Sequence, residues 1–238
     1  MIEILVEHPW FLVINKPSGL LTQAVPGIDS VQTMLVQQLK SRDAMSSTPF
    51  IGIPHRLDRP TSGAMVVARN QRALRRLSDQ FASRKVVKNY FAIIPGMRQA
   101  DEIIWRDFIR KVPDEPKAEL VPESSDGAKE AVLRFHVRTQ TTINTVVSDQ
   151  IVSIPVTIVD VVLETGRMHQ IRIQFASRSY PILGDSLYGS EIPWLQSELG
   201  VRESPIALHA GKIEFYNPQN AEKVTAAAPM PNGWPSVS

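Results

Sequence analysis

An α+β fold, built on a largely antiparallel or mixed sheet, is the class this sequence predicts. Two observations carry it. Short apolar and β-branched runs recur at hairpin-like spacing, bounded by Pro, Gly and polar turn residues, and only a few segments of helical periodicity stand between them. A third observation bounds the size: 43% of the 238 residues are hydrophobic, enough to fill a substantial core. One domain spanning 1–238 is expected, with an irregular proline-rich tail from about 229.

Taken in order, Ile2 to Val6 and Trp10 to Asn15 are apolar runs on either side of His8-Pro9, and predict the strands of a hairpin that Lys16-Pro17-Ser18-Gly19 ends. Ser30 is a helix cap, because Val31, Met34, Leu35 and Leu39 follow at the spacing of one buried helical face. Polar residues from Ser41 to Thr48 predict a loop. Gly63 to Ala68 is an apolar strand, and Asn70 caps a helix with a buried stripe of Leu74, Leu77 and Phe81 and an opposite face of Arg72, Arg75, Arg76 and Arg84. Val86 to Ile94 predicts a strand stopped by Pro95-Gly96. Residues 97–130 mix prolines with charges and predict an irregular connection with short strands. Strands are expected again over Ala131 to Arg138 and Ile151 to Thr165, then a helix over Met168 to Ser177 and a strand over Ala207 to Tyr216.

Composition excludes several chemistries. Cysteine is absent, so disulfides, thiol nucleophiles and thiolate zinc sites are ruled out. The five His are scattered, no glycine-rich phosphate loop opens a helix, and no nucleophile elbow occurs; neither a metal nor a cofactor is expected. No apolar run is long enough to span a bilayer and no leader pattern opens the chain, which predicts a cytoplasmic protein without a membrane partner. The net charge of +2 hides an uneven distribution. Between residues 56 and 98, ten Lys or Arg face only Asp58 and Asp79, a balance suited to a polyanion.

The most unusual stretch is Pro54-His55-Arg56-Leu57-Asp58-Arg59-Pro60-Thr61-Ser62-Gly63, a charged loop placed directly before an apolar strand. Loops carried by rigid strands are favoured places for chemistry, although a surface ion pair of Asp58 with Arg56 or Arg59 explains the same residues.

The chain resembles the RluA-type RNA pseudouridine synthases. The resemblance rests on Asn15-Lys16-Pro17-Ser18-Gly19-Leu20, His55-Arg56-Leu57-Asp58 with Thr61-Ser62-Gly63, and Lys88-Asn89-Tyr90-Phe91-Ala92. It continues in Leu163 to Arg172 (LETGRMHQIR), Pro181-Ile182-Leu183-Gly184-Asp185, Tyr188-Gly189 and Leu208-His209-Ala210. It implies the pseudouridine synthase fold, a sheet flanked by helices with a central active-site cleft. It also implies isomerisation of uridines in structured RNA, ribosomal or transfer, without a cofactor. Two positions depart from the family's pattern: Gln174 stands where many relatives have His, and Asn217-Pro218 replaces a frequent His-Pro. No accessory RNA-binding domain precedes the first motif, so a stand-alone catalytic domain is expected, with a monomer as the default.

The same resemblance implies roles. Asp58 is the essential carboxylate, acting either as a nucleophile at C1′ or as the base that gives a glycal; both routes stay open. Arg172 is the cation that favours its charged form. Tyr90 packs on the target base. Since the glycosidic bond is shielded within a stack, the uridine must be extruded, and Arg56 matches the arginine that fills the gap, with a phosphate contact as its alternative. Arg167 is expected on phosphate, and Leu57 and Ile171 in the pocket wall. His55 is counted with the RNA-facing set, but reads, like His169, as a residue whose hydrogen bonds are structural. A non-catalytic RNA-binding module and an N-glycosidic hydrolase are the competing readings.

Overall fold

Apolar and β-branched runs pair into sheet, and the computed structural model describes residues 1–44, 46–96, 102–147, 150–195 and 204–235. In chain order the elements are β1 (Glu3–Glu7), β2 (Phe11–Lys16), α1 (Val31–Arg42), β3 (Ser62–Ala68), α2 (Gln71–Ala82), β4 (Val87–Pro95) and β5 (Ile103–Lys111). There follow β6 (Ala118–Leu120), β7 (Lys129–Val147), β8 (Gln150–Leu163), α3 (Gln170–Ala176), a 3₁₀ turn at Ser186–Tyr188, β9 (Leu208–Tyr216) and β10 (Lys223–Ala227). They divide into two compact units, Met1–Lys88 with His209–Pro231, and Asn89–Leu208 with Asn232–Ser238.

In the first unit β1, β2 and β3 are antiparallel neighbours, β3 runs parallel to β9 at Ser62↔His209 and Gly63↔Ala210, and β10 pairs antiparallel with β9. Phe11, Val13, Val66, Leu77, Ile213 and Phe215 form the core that α2 covers. The predicted caps are present. Ser30 accepts from the Thr33 backbone while Thr33 returns a bond to the Ser30 backbone, and Asn70 accepts from Ala73. One glycine is obligatory: Gly63 has φ +115°, and a Cβ there would lie 2.3 Å from the Ala210 carbonyl oxygen, so only glycine lets β3 approach β9.

In the second unit β4, β8, β7, β5 and β6 are antiparallel neighbours. Trp105, Phe135 and Phe175 meet at centroid distances of 4.5 to 4.9 Å and fasten α3 to β5 and β7.

Several expectations needed correction. The region expected to be irregular holds the nine-residue strand β5; its charges obscured the alternation and are satisfied across strands, Arg106 by Glu130 and Arg110 by Glu119. Residues 97–101 of that region, Arg98 among them, lie outside the described residues. Strand β7 continues past Arg138 through a threonine-rich segment that pairs with the first half of β8, where polarity concealed a strand. β10 was not foreseen, and α1 reaches Arg42. α2 ends at Ala82, so Arg84, at φ 57°, lies beyond the helix and off its arginine face. α3 begins at Gln170 because His169 is left-handed at φ 52°.

Candidate active site

The residues singled out by sequence fall into two groups, one in each unit. In the first, His55, Arg56, Leu57 and Asp58 share the loop before β3, and an unusual number of bonds fix that loop. Lys16, at the end of β2, is completely buried; its Nζ donates to the carbonyls of Pro17 (3.0 Å), Arg59 (3.1 Å) and Thr61 (2.8 Å). Ser18 Oγ donates to the Pro60 carbonyl, Thr22 Oγ1 to the Leu57 carbonyl, and the Gly19 amide to the Arg59 carbonyl, while Arg59 Nε returns a bond to the Gly19 carbonyl. The turn is closed by the Thr61 amide on the Asp58 carbonyl at 3.0 Å. The Asn-Lys-Pro-Ser-Gly segment thus grips the backbone that follows Asp58, and Thr22 the backbone that precedes it.

Electrostatics at this loop follow from burial. Desolvation pushes the Lys16 ammonium down to about 7; the negative charge of Asp58 opposes that shift and Arg59 adds to it. His55 stacks on Phe81 at 4.2 Å and accepts from the Val66 amide at Nε2, 3.1 Å away. Burial, with a smaller contribution from the charge of Lys88, pushes its imidazole down to about 3, so it is neutral at physiological pH. Its ring nitrogen is committed to β3. Ser62 Oγ meets Nδ1 of buried His209 at 2.9 Å, and burial lowers that imidazole to about 4 against a hydrogen bond with the Ala228 backbone. Leu57 is buried and Arg56 exposed.

In the second unit, Tyr90 is buried on β4, opposite Val161 of β8. Arg172 on α3 makes a two-point ion pair with Asp185, Nε to Oδ2 at 2.7 Å and Nη2 to Oδ1 at 2.8 Å, with side-chain exposures of only 5% and 1%. Its guanidinium also lies 5.1 Å from the centre of the Tyr188 ring. The turn entering α3 is fixed by the Gln170 side chain, which accepts from Thr165 Oγ1 (2.7 Å) and from the Arg167 amide (3.0 Å). His169 Nδ1 meets the Tyr188 hydroxyl at 2.9 Å. Arg167 is half-buried with Nε on the Glu130 carbonyl, and Ile171 is buried. Gln174, the departure from the family's pattern, is fully buried and donates to Asp107 (2.7 Å) and to the Ala131 carbonyl (3.3 Å).

Lys16, Asp185 and Gln170 lie within the motifs, but the sequence assigns them no role. A lysine closing an otherwise apolar strand just before Pro-Ser-Gly was the available signal for the first; the other two depend on contacts that only folding creates. Among the described residues, no group of three or more His, Asp or Glu is arranged to hold a metal.

Comparison with known proteins extends these observations. The family model described as RNA pseudouridylate synthase matches residues 10–177. Ribosomal large subunit pseudouridine synthase D of Xylella fastidiosa is 34% identical over 237 residues, covering 97% of this chain and 66% of that protein. The chain therefore spans about two thirds of the length of such relatives. A protein of Aquifex aeolicus described as an uncharacterized RNA pseudouridine synthase is 32% identical over 99% of this chain and 72% of its own length. Among solved structures, human RNA pseudouridylate synthase domain containing 1 aligns with a TM-score of 0.68 at 26% identity, over 97% of this chain and 84% of that one. Human RNA pseudouridylate synthase domain containing 4 aligns with a TM-score of 0.71 at 23% identity, over 97% and 89%, a likeness of fold alone.

Proposed function

Starting from the fact that this chain belongs to the RNA pseudouridylate synthase family, we propose that it isomerises uridine to pseudouridine in a structured RNA, ribosomal or transfer, with Asp58 as the essential carboxylate. The observation that carries the reading is the grip on the Asp58 loop. Lys16, Ser18, Gly19 and Thr22 hold its backbone from both sides, as a carboxylate that must meet one carbon of a flipped nucleoside requires.

The reaction cleaves the bond between C1′ and N1, rotates the freed uracil and joins C1′ to C5, whose proton must leave. Nothing is oxidised, reduced or hydrolysed, so side chains suffice. Asp58 either adds to C1′ and is displaced when C5 attacks, or removes the 2′ proton to give a glycal and later returns it. In both routes the carboxylate must be ionised at the start. Arg172, held by Asp185, is assigned the part of the catalytic cation, and Tyr90 that of the ring on which the target base packs. Exposed Arg56 enters the stack that the uridine leaves, Arg167 contacts phosphate, and Leu57 and Ile171 wall the pocket. His55 supports the loop through β3. The two units together are proposed to act as one catalytic domain, with RNA as partner, in the cytoplasm.

The test is a map of pseudouridines across total RNA from a deletion strain complemented with wild type or with Asp58→Asn. A uridine modified only with wild type is expected. If every site is modified equally in the two strains, the reading fails. Free uracil and abasic RNA in place of pseudouridine would favour hydrolysis instead.

A further inference from the structure

A cleft in the second unit was marked by none of the sequence motifs except at its edge. It has a volume of about 620 Å³ and is bounded by the end of β5, the turn at Asp126-Gly127, Lys129 at the start of β7, and the Gly166–Met168 segment that leads into α3. That volume lies within the range of sites that hold small ligands or a nucleotide segment.

Its charges are unbalanced. Arg110 is neutralised by Glu119, at 2.6 Å from Nη2 and 3.0 Å from Nε. Lys111, Lys129 and Arg167 line the same cleft with no carboxylate paired to them among the described residues, and Asp126 is the one acidic residue on its wall. Adjacent-strand registers, Lys111↔Ala118 and Ile109↔Lys129, bring the two lysines to the same end of the sheet. Arg167 is anchored by Nε on the Glu130 carbonyl, so its terminal nitrogens are presented on a fixed arm. Exposed like charges gathered on a concave wall repel each other and gain most from an anion that replaces their counterions. The floor is different: Ile109 is buried and Met168 half-buried, an apolar surface suited to a sugar face. Cations at the rim and an apolar floor match a phosphodiester with its ribose better than a lone inorganic ion.

We propose that this cleft holds a backbone segment of the RNA substrate, with Lys111, Lys129 and Arg167 on phosphate and the Ile109–Met168 floor under a ribose. The proposal rests on the reading of the chain as an RNA-modifying enzyme and names a second place where RNA is held. Since Arg167 and Arg172 flank one turn into α3, RNA seated in the cleft is registered to the helix that carries Arg172.

The experiment measures binding of a short fluorescein-labelled RNA hairpin by anisotropy, between 50 and 200 mM salt, for the full chain and for Lys111→Gln/Lys129→Gln. At the lower salt the double variant should bind at least roughly tenfold more weakly, and its log–log salt dependence should be shallower by about one for each lysine removed. Lys111→Arg/Lys129→Arg should restore both, and Lys40→Gln, on a helix of the other unit, should change neither by much. Unaltered affinity and slope in the Gln pair overturn the proposal. Inorganic phosphate should compete no better than chloride at equal ionic strength; specific competition would make the cleft a free-anion site and overturn the RNA assignment. Because binding is the readout, a chain that binds RNA through these lysines yet forms no pseudouridine would refute the catalytic reading alone.

Discussion

Lys16 decides more about the Asp58 loop than any residue within that loop. A buried ammonium is costly, and here three backbone carbonyls and the charge of Asp58 offset the cost. Lys16→Met keeps the apolar stem and removes the three donors. It should destabilise the fold by about 2–4 kcal/mol, since buried acceptors lose their partner. Where the variant still folds, kcat for pseudouridine formation should drop by roughly ten- to a hundredfold while RNA affinity changes far less, because the carboxylate is misplaced and the RNA surface is intact. Denaturant titration and single-turnover kinetics check the two halves. An unchanged denaturation midpoint would show that the clamp is dispensable. Arg172 presents a similar dependence on a partner: Asp185→Ala leaves a buried guanidinium without its carboxylate, and a loss of about 3–5 kcal/mol is expected by the same titration.

At the scale of elements, the contact between β3 and β9 is the tightest constraint in the first unit. Gly63 combines a positive φ with backbone atoms of Ala210 where a side chain would begin. Gly63→Ala must therefore push the strands apart, and should cost at least about 3 kcal/mol, measured by urea unfolding. A cost below about 1 kcal/mol would mean that β9 yields easily, contrary to the geometry. The same strands bear on legibility. β2 and β3 were readable because nearly every side chain is apolar, as strands buried on both faces require. β5 and the far half of β7 were not, since the charges of β5 are paired across strands and the threonine-rich half of β7 is held by its backbone pairing with β8, relations invisible to a window along the chain.

For the molecule as a whole, two desolvated imidazoles set an acid limb of stability. His55 and His209 have folded values of about 3 and about 4, below the ordinary 6.5, so the unfolded chain takes up protons first as pH falls. Their contribution is complete above pH 6.5 and is lost as pH falls through about 4 and then about 3, at up to about 1.4 kcal/mol per pH unit for each. The window from 6.5 to 5 precedes most carboxylate titration and isolates the effect. The melting temperature should fall across it, and His55→Gln should reduce the slope; a flat profile would mean that the imidazoles accept protons in the folded state.

Local pattern was sufficient for the α+β class, both capped helices and the strands β1 to β4, β8 and β9, while Asp58, Tyr90 and Arg172 became candidates through the family resemblance that their motifs carry. These follow from periodicity, turn chemistry and short contiguous motifs, all of which are properties of neighbours along the chain. Tertiary structure alone decided that Lys16 is buried beneath the Asp58 loop, that Arg172 is locked to Asp185, and that His55 is neutral and turned to β3. It also gathered Lys111, Lys129 and Arg167 from separate segments into one cleft. The physical reason is common to all four: desolvation and charge act through space, between groups that the sequence keeps far apart.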